Sequence, residues 1–161
     1  LSEEALARFR QEHLGFVFQS YNLLPALTAV ENVALPLLFR GVSRPEREAA
    51  ARKLLTRVGL SHRLDHFPRQ MSGGQQQRAG IARAFIARPD VVFADEPTGN
   101  LDSKTTVEII QMICTFARDY HQTIILVTHD PEMAAYADRI VTLIDGEIVS
   151  NEVNKKERTH L

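Results

Sequence analysis

The chain alternates short apolar runs with longer amphipathic stretches. Leu14–Phe18 (LGFVF) is apolar throughout and stops at Gln19, the length and pattern of a buried strand. Val91–Ala94 (VVFA) stops at Asp95 and Glu96, and Thr123–Thr128 (TIILVT) stops at His129. Both read as strands of the same kind. Between the first two runs the period is helical. Thr28 and Glu31 make a T-x-x-E capping box that opens a helix to about Phe39, strained or kinked at Pro36. Ser43 with Glu46 repeats that signature, and Gly59 closes the helix after Val58. Ser72 opens another helix to about Ala87, ended by RPD. Asp102 is placed to cap a long amphipathic helix to about Tyr120, and Pro131 opens a short one. Arg139–Ile144 and Glu147–Val149 then read as a hairpin around Asp145-Gly146.

Strands alternating with helices predict an α/β fold with a parallel sheet, closed by an antiparallel edge. Residues 20–89 are mostly helical and lie between two strands, so they read as a helical insertion, with 90–150 returning to the sheet. The last stretch, NEVNKKERTHL (151–161), is polar and reads as a frayed tail.

Composition narrows the class. The chain has 161 residues, one domain or a large piece of one, with 44% hydrophobic and 24% charged residues, as in globular proteins. A net charge of −1 supplies no basic field for nucleic acid or an anionic membrane. The longest apolar run, Val33–Phe39, is broken by Pro36 and falls far short of the roughly 20 residues that cross a bilayer. No signal-peptide pattern precedes it, and a first residue of leucine reads as an internal start within a longer reading frame. The single cysteine, Cys114, falls among Ile109, Ile110, Ile113 and Phe116. It is expected to be a buried thiol serving as a small apolar side chain, and the absence of a disulfide framework suits a reducing cytoplasm.

The chemistry sits where the strands stop. In open α/β sheets ligands bind beyond the carboxyl ends of the parallel strands, so Gln19, Asp95-Glu96 and His129 can converge on one crevice. Neighbouring strand residues point to opposite sides. One acid of the Asp95-Glu96 pair can therefore hold magnesium through its water shell while the other orients or deprotonates a water. Ser72-Gly73-Gly74 opens a helix, whose unpaired N–H groups and partial positive charge suit a phosphate. Each feature alone has an ordinary explanation: a polar loop start, a solvated turn, a serine N-cap with permissive glycines.

Together they resemble the ATP-binding cassette (ABC) ATPases. MSGGQQQR (71–78) resembles the signature motif, with Met71 where leucine is commonest. VVFADE (91–96) resembles Walker B with the catalytic glutamate, and GNLD (99–102) the D-loop. Gln19 resembles the Q-loop glutamine and His129 the switch histidine. The likeness runs over residues 1–150 in the family's motif order. It is strongest to the lipoprotein-releasing and macrolide-export branch (LolD/MacB-like), whose ATPases work with FtsX-type permeases. The lysine-bearing Walker A loop does not occur in these residues. GNLDSKT (99–105) has Ser103 before Lys104 and its glycine one position too close. The resemblance therefore implies a P-loop NTPase-like fold, incomplete at its N-terminus, with an inserted helical subdomain.

It further implies a head-to-tail homodimer with ATP between Walker A of one subunit and the signature of the other. Ser72, Gly73, Gly74 and Gln75 would serve the partner's nucleotide. Asp95 and Gln19 would approach Mg2+ through water, Glu96 would act as base or water-positioning group, and His129 would contact the γ-phosphate. Asn100, Leu101 and Asp102 would cross the dimer interface. Residues Gln19–Phe39, rich in Leu, Val and Ala, would include the docking groove for a membrane permease, with Tyr21, Leu23 and Leu24 as the exposed contacts. That placement implies a cytoplasmic protein held indirectly at the inner membrane. Two other readings are an ATP-incompetent fragment retained for docking or regulation, and a soluble ABC-type ATPase of repair or translation. The second is disfavoured because the chain is neither basic nor heptad-rich.

Overall fold

Three in-register strands form the frame in a computed structural model that describes residues 2–154. β1 (Leu14–Phe18), β2 (Val91–Asp95) and β3 (Thr123–Val127) pair in parallel in the order β1-β2-β3. Phe18, Asp95 and Val127 lie opposite one another at the carboxyl edge. The chain divides into two compact units, Leu1–Val127 and Thr128–Leu161.

In the first unit, α1 (Glu3–His13) precedes β1 and has no counterpart in the apolar pattern. Its signals are polar: Ser2 caps it, Glu3 and Glu4 occupy its first turn, and Arg10 and His13 its last. α2 (Ala29–Phe39) begins with the complete Thr28–Glu31 capping box and runs through Pro36 to Phe39. α3 (Arg44–Arg57) begins after Ser43, but the second capping box does not form. Ser43 Oγ instead donates to Glu46 Oε2 at 2.6 Å, and no side-chain cap reaches the backbone. α4 (Gly73–Ile86) and α5 (Ser103–Tyr120) start at Ser72 and Asp102 as their sequences require.

The core lies where α2, α3 and α4 meet the sheet and α5. Leu55, Ile81, Phe85, Val17, Val92 and Ile109 are almost wholly removed from water, each side chain contributing on the order of 1.5–3 kcal/mol. β1 backs directly onto α4 at Gly15, where a Cβ would strike the Ala84 carbonyl oxygen. Cys114 departs from the expected burial. Ile109, Ile110, Ile113 and Phe116 form the buried stripe of α5, whereas Cys114 is only half-buried. A residue directly after Ile113 is turned about 100° around the helix, off the stripe.

In the second unit, α6 (Pro131–Ala134) leads to β4 (Arg139–Ile144) and β5 (Glu147–Val153). These pair antiparallel as a separate two-stranded sheet rather than as an edge of the parallel one. β5 also runs beyond Val149. Asn151, Glu152 and Val153 pair with Val141, Ile140 and Arg139, and Asn154 donates to the Ala135 and Ala137 carbonyls. Residues 151–154 are therefore not frayed, because backbone pairing overrides their polar side chains. The remainder of the expected tail, 155–161, lies outside the described residues. Among the described residues no helix is long and apolar enough to cross a membrane.

Candidate functional site

The parallel register delivers the first cluster. With Phe18 opposite Asp95, the next residues on each strand, Gln19 and Glu96, leave the sheet at the same edge. Asp95 and Gln19 are exposed and Glu96 is half-buried. Glu96 has φ 43°, a left-handed conformation that a side chain rarely adopts and that often marks a functional position. Its N–H still donates to the Val127 carbonyl at 2.9 Å, extending the β2–β3 ladder one residue past Asp95.

Residues 97–102 fold back over this edge. Gly99 lies against the Gln19 side chain, and Asn100 Nδ2 donates to Gln19 O at 3.1 Å. Asp102 then starts α5 by accepting from the Thr105 N–H at 3.0 Å and the Thr105 hydroxyl at 2.8 Å. These bonds, the backbone one first, hold the Asp102 carboxyl below its ordinary pKa.

The second cluster is the start of α4. Ser72 and Gln75 form a reciprocal capping box: Ser72 Oγ accepts from Gln75 N at 3.2 Å, and Gln75 Oε1 accepts from Ser72 N at 3.0 Å. Because the serine oxygen acts as acceptor, its hydroxyl hydrogen is left to donate. The two glycines also have neighbours within the chain. A Cβ at Gly73 would lie 2.6 Å from Tyr21 Oη, and one at Gly74 would lie 3.0 Å from Thr105 Cγ2. A side chain at either position would have to displace the end of Tyr21 or Thr105, so the two glycines let this helix start pack closely against both.

The clusters are joined by a side chain that motif reading passed over. Gln77 is fully buried, and its Nε2 donates to Phe18 O at 3.2 Å and Pro97 O at 2.5 Å. One amide thus ties the residue before Gln19 to the residue after Glu96. Its position supplied a signal, since Gln77 falls on the α4 face that also buries Ile81, Ala84 and Phe85. A polar residue on that stripe needs backbone partners.

The family model described as ABC transporter matches residues 2–99. The chain belongs to this family. It is 51% identical over 148 residues to the ABC transporter ATP-binding protein YbbA of Escherichia coli (strain K12), an alignment covering 92% of this chain and 65% of YbbA. It is 52% identical over 151 residues to the macrolide export ATP-binding/permease protein MacB of Marinobacter nauticus, covering 94% of this chain and 23% of MacB. Among solved structures it resembles the dimeric ATP-binding cassette MJ0796 in a post-hydrolysis state bound to ADP and Pi. That likeness has a TM-score of 0.86 and 42% identity, covering 96% of this chain and 68% of that one. An ABC cassette is a P-loop NTPase fold, so the expected fold class holds. The chain spans 65% of the length of YbbA and 23% of that of MacB, less than two thirds of either relative.

Within this ABC chain, Gln19, Asp95, Glu96 and Asn100 share one edge, and Ser72, Gly73, Gly74 and Gln75 form one helix start whose glycines touch Tyr21 and Thr105. Leu101 packs against the core and lies near Gly73. His129 belongs to the second unit, where it is exposed two residues past the end of β3. Asp95 and the Gln19 amide are a fitting donor pair for magnesium, a hard ion that keeps several waters and takes one or two carboxylates plus substrate phosphates. The segment after Gln19 departs from its expected exposure. Leu23 packs against the core and Tyr21 is half-buried, leaving Leu24 exposed.

Proposed function

We propose that the chain is the greater part of an ATP-hydrolysing subunit of an export-type ABC transporter, working as a head-to-tail dimer beneath a separate membrane permease. The observation that carries the reading is the in-register arrival of Gln19, Asp95 and Glu96 at one sheet edge, fastened through Gln77 to the helix that begins at Ser72. An acid, a second acid and an amide at that edge supply a metal-shell ligand, a water-positioning base and an occupancy sensor.

In this reading Asp95 and Gln19 hold the hydrated Mg2+, which when bound neutralises charge on the phosphates. Glu96 accepts a proton from, or orients, the attacking water, and His129 contacts the γ-phosphate. Ser72, through its free hydroxyl hydrogen, and the N–H groups of Gly73 and Gly74 donate to the nucleotide held by the opposite subunit. Gln75 contributes mainly by holding Ser72 in place. Asn100, Leu101 and Asp102 face the partner. Phosphoryl transfer depends on positioning and charge stabilisation, which fits a site divided between two chains.

Support for export through a permease comes from relatives such as MacB, whose name joins an ATP-binding part to a permease. Leu24, Leu38 and Phe39 are exposed apolar side chains in the Gln19–Phe39 region proposed for permease docking. The protein would then lie on the cytoplasmic face of the inner membrane. The test is magnesium-dependent ATP hydrolysis by the full-length protein. Hydrolysis that rises more than linearly with protein concentration supports a shared site. No ATP binding by the full-length protein would overturn the reading.

A further inference from the structure

Arg83 lies on α4 and ends on two consecutive main-chain carbonyls of the segment after Gln19. Its Nη2 donates to Tyr21 O at 3.0 Å and its Nη1 to Asn22 O at 2.5 Å. Burial lowers the pKa of the guanidinium, yet arginine stays charged in proteins. A half-buried cation has thus been placed against a stretch of loop backbone.

That stretch is conformationally costly. Tyr21 and Asn22 have φ 65° and 50°, two successive side-chain-bearing residues in the left-handed region that few non-glycine residues occupy. A loop of this kind persists when its surroundings over-determine it. Arg83 satisfies both carbonyls at once, as a planar fork of donors can and a single ammonium cannot do with the same geometry. The rest of α4 cooperates. Gln77 holds Phe18 O before Gln19, and at Gly80 a Cβ would lie 3.6 Å from Tyr21 O, in ordinary contact. Gln77, Gly80 and Arg83 follow one another at three-residue steps along one side of the helix.

We propose that Arg83 is a positioning residue for Gln19: by pinning the left-handed Tyr21–Asn22 turn to α4, it fixes where the Gln19 amide stands beside Asp95 and Glu96. The proposal rests on the nucleotide site described above. It adds a consequence, because α4 also begins at Ser72. A shift of the helix produced by a nucleotide at its N-terminus reaches the Gln19 loop through Arg83, so each site of a dimer senses occupancy of the other.

The test uses the full-length protein and steady-state ATP hydrolysis. Arg83→Met keeps the stem and removes the fork. It is expected to lower kcat about 10- to 100-fold, the scale of a small misplacement at a distance, with KM for ATP within about two-fold. Arg83→Lys, the folding-safe variant, is expected to lose kcat in the same direction but less. The discriminating measurement is Asn22→Gly added to Arg83→Lys. Glycine adopts the left-handed turn without the steric cost, so kcat should recover by several-fold if Arg83 works by holding that turn. Three results overturn the proposal: wild-type kcat in both single variants, kcat, KM and Tm deteriorating together, or a double variant no better than Arg83→Lys alone. Absence of hydrolysis in the unmutated protein would instead overturn the nucleotide site, so the two failures are distinguishable.

Discussion

Gly99 closes on Gln19 so tightly that a Cβ at position 99 would lie 2.5 Å from Gln19 Nε2 and 3.0 Å from its Cδ. The contact joins the loop after β2 to the end of β1, and Asn100 reinforces it by donating to Gln19 O. The Gln19 amide thus packs against a backbone position that leaves no room for a side chain.

Gly99→Ala should therefore separate fold from function. The obstructing atoms belong to the end of an exposed, flexible side chain, which can swing away at little cost to stability. Gln19 then leaves its place. The expected result is a Tm within a few degrees of wild type and turnover lower by about 10- to 100-fold. Full turnover would show that the Gln19 position has no part in hydrolysis.

Glu96→Gln isolates chemistry at the same edge. The left-handed φ of Glu96 and its N–H bond to Val127 O are backbone features that glutamine retains. What the substitution removes is the carboxylate charge proposed to accept the proton. Turnover should fall by about 10²- to 10⁴-fold, while nucleotide binding to the full-length protein, followed by a fluorescent ATP analogue, stays intact. Near-normal hydrolysis would remove Glu96 from its proposed role.

These two residues also mark how far sequence alone reached. The strands, the order of the motifs and the caps at Thr28, Ser72 and Asp102 were legible, because each depends on a local pattern. Gln77 and Arg83 were not read, because their partners are main-chain carbonyls distant in sequence, and a carbonyl carries no residue-specific signal. The left-handed turn at Tyr21–Asn22 was hidden for a related reason: no glycine marks it, and Asn22, which tolerates positive φ, does not announce that Tyr21 shares it. Leu23 and Cys114 were misjudged in opposite directions, since a loop leucine folded inward and a helical cysteine lay just off the buried stripe. The Ser43 box failed because its serine bonded the glutamate side chain in place of the backbone.

Asp102 gives the α5 cap a pH dependence. Its folded pKa is lowered, first by the Thr105 N–H and then by the Thr105 hydroxyl. The contribution is accordingly complete above the unfolded value of about 3.9 and is lost as pH falls through the depressed folded value. Asp102→Asn keeps a good N-cap without a titrating group. Urea midpoints at pH 7 and pH 3 should differ less for this variant than for wild type. An identical acid loss in both would show that the cap does not couple to pH.

The exposed Leu24 tests the proposed permease contact. Its backbone is fixed by buried Asn32, which accepts from Leu24 N at 2.7 Å and donates to Leu24 O at 3.1 Å. The side chain is therefore presented on a rigid base, and Leu24→Asp alters the surface without freeing the loop. Basal hydrolysis by the full-length protein should persist while co-purification with its permease falls at least about ten-fold, as loss of one buried leucine contact implies. Unchanged co-purification would move docking elsewhere.

Gly15 tests the seam on which the site is built. It lies in β1, four residues before Gln19, directly against α4. An added Cβ would strike the Ala84 carbonyl oxygen and approach Pro89 Cγ at 3.1 Å and Val92 Cγ2 at 3.2 Å. The first obstacle is helix backbone, already committed to its own geometry, so it cannot turn aside as the Gln19 side chain can at Gly99. Strand and helix must part instead. Gly15→Ala should destabilise the protein by about 1–3 kcal/mol, read as a lower urea midpoint. Because the same displacement carries β1 away from α4, it should loosen the Gln77 bond to Phe18 O as well. Turnover should then fall even at temperatures where the variant is fully folded. A variant with lowered stability but wild-type turnover when folded would show that the β1–α4 spacing is not what sets the Gln19 position.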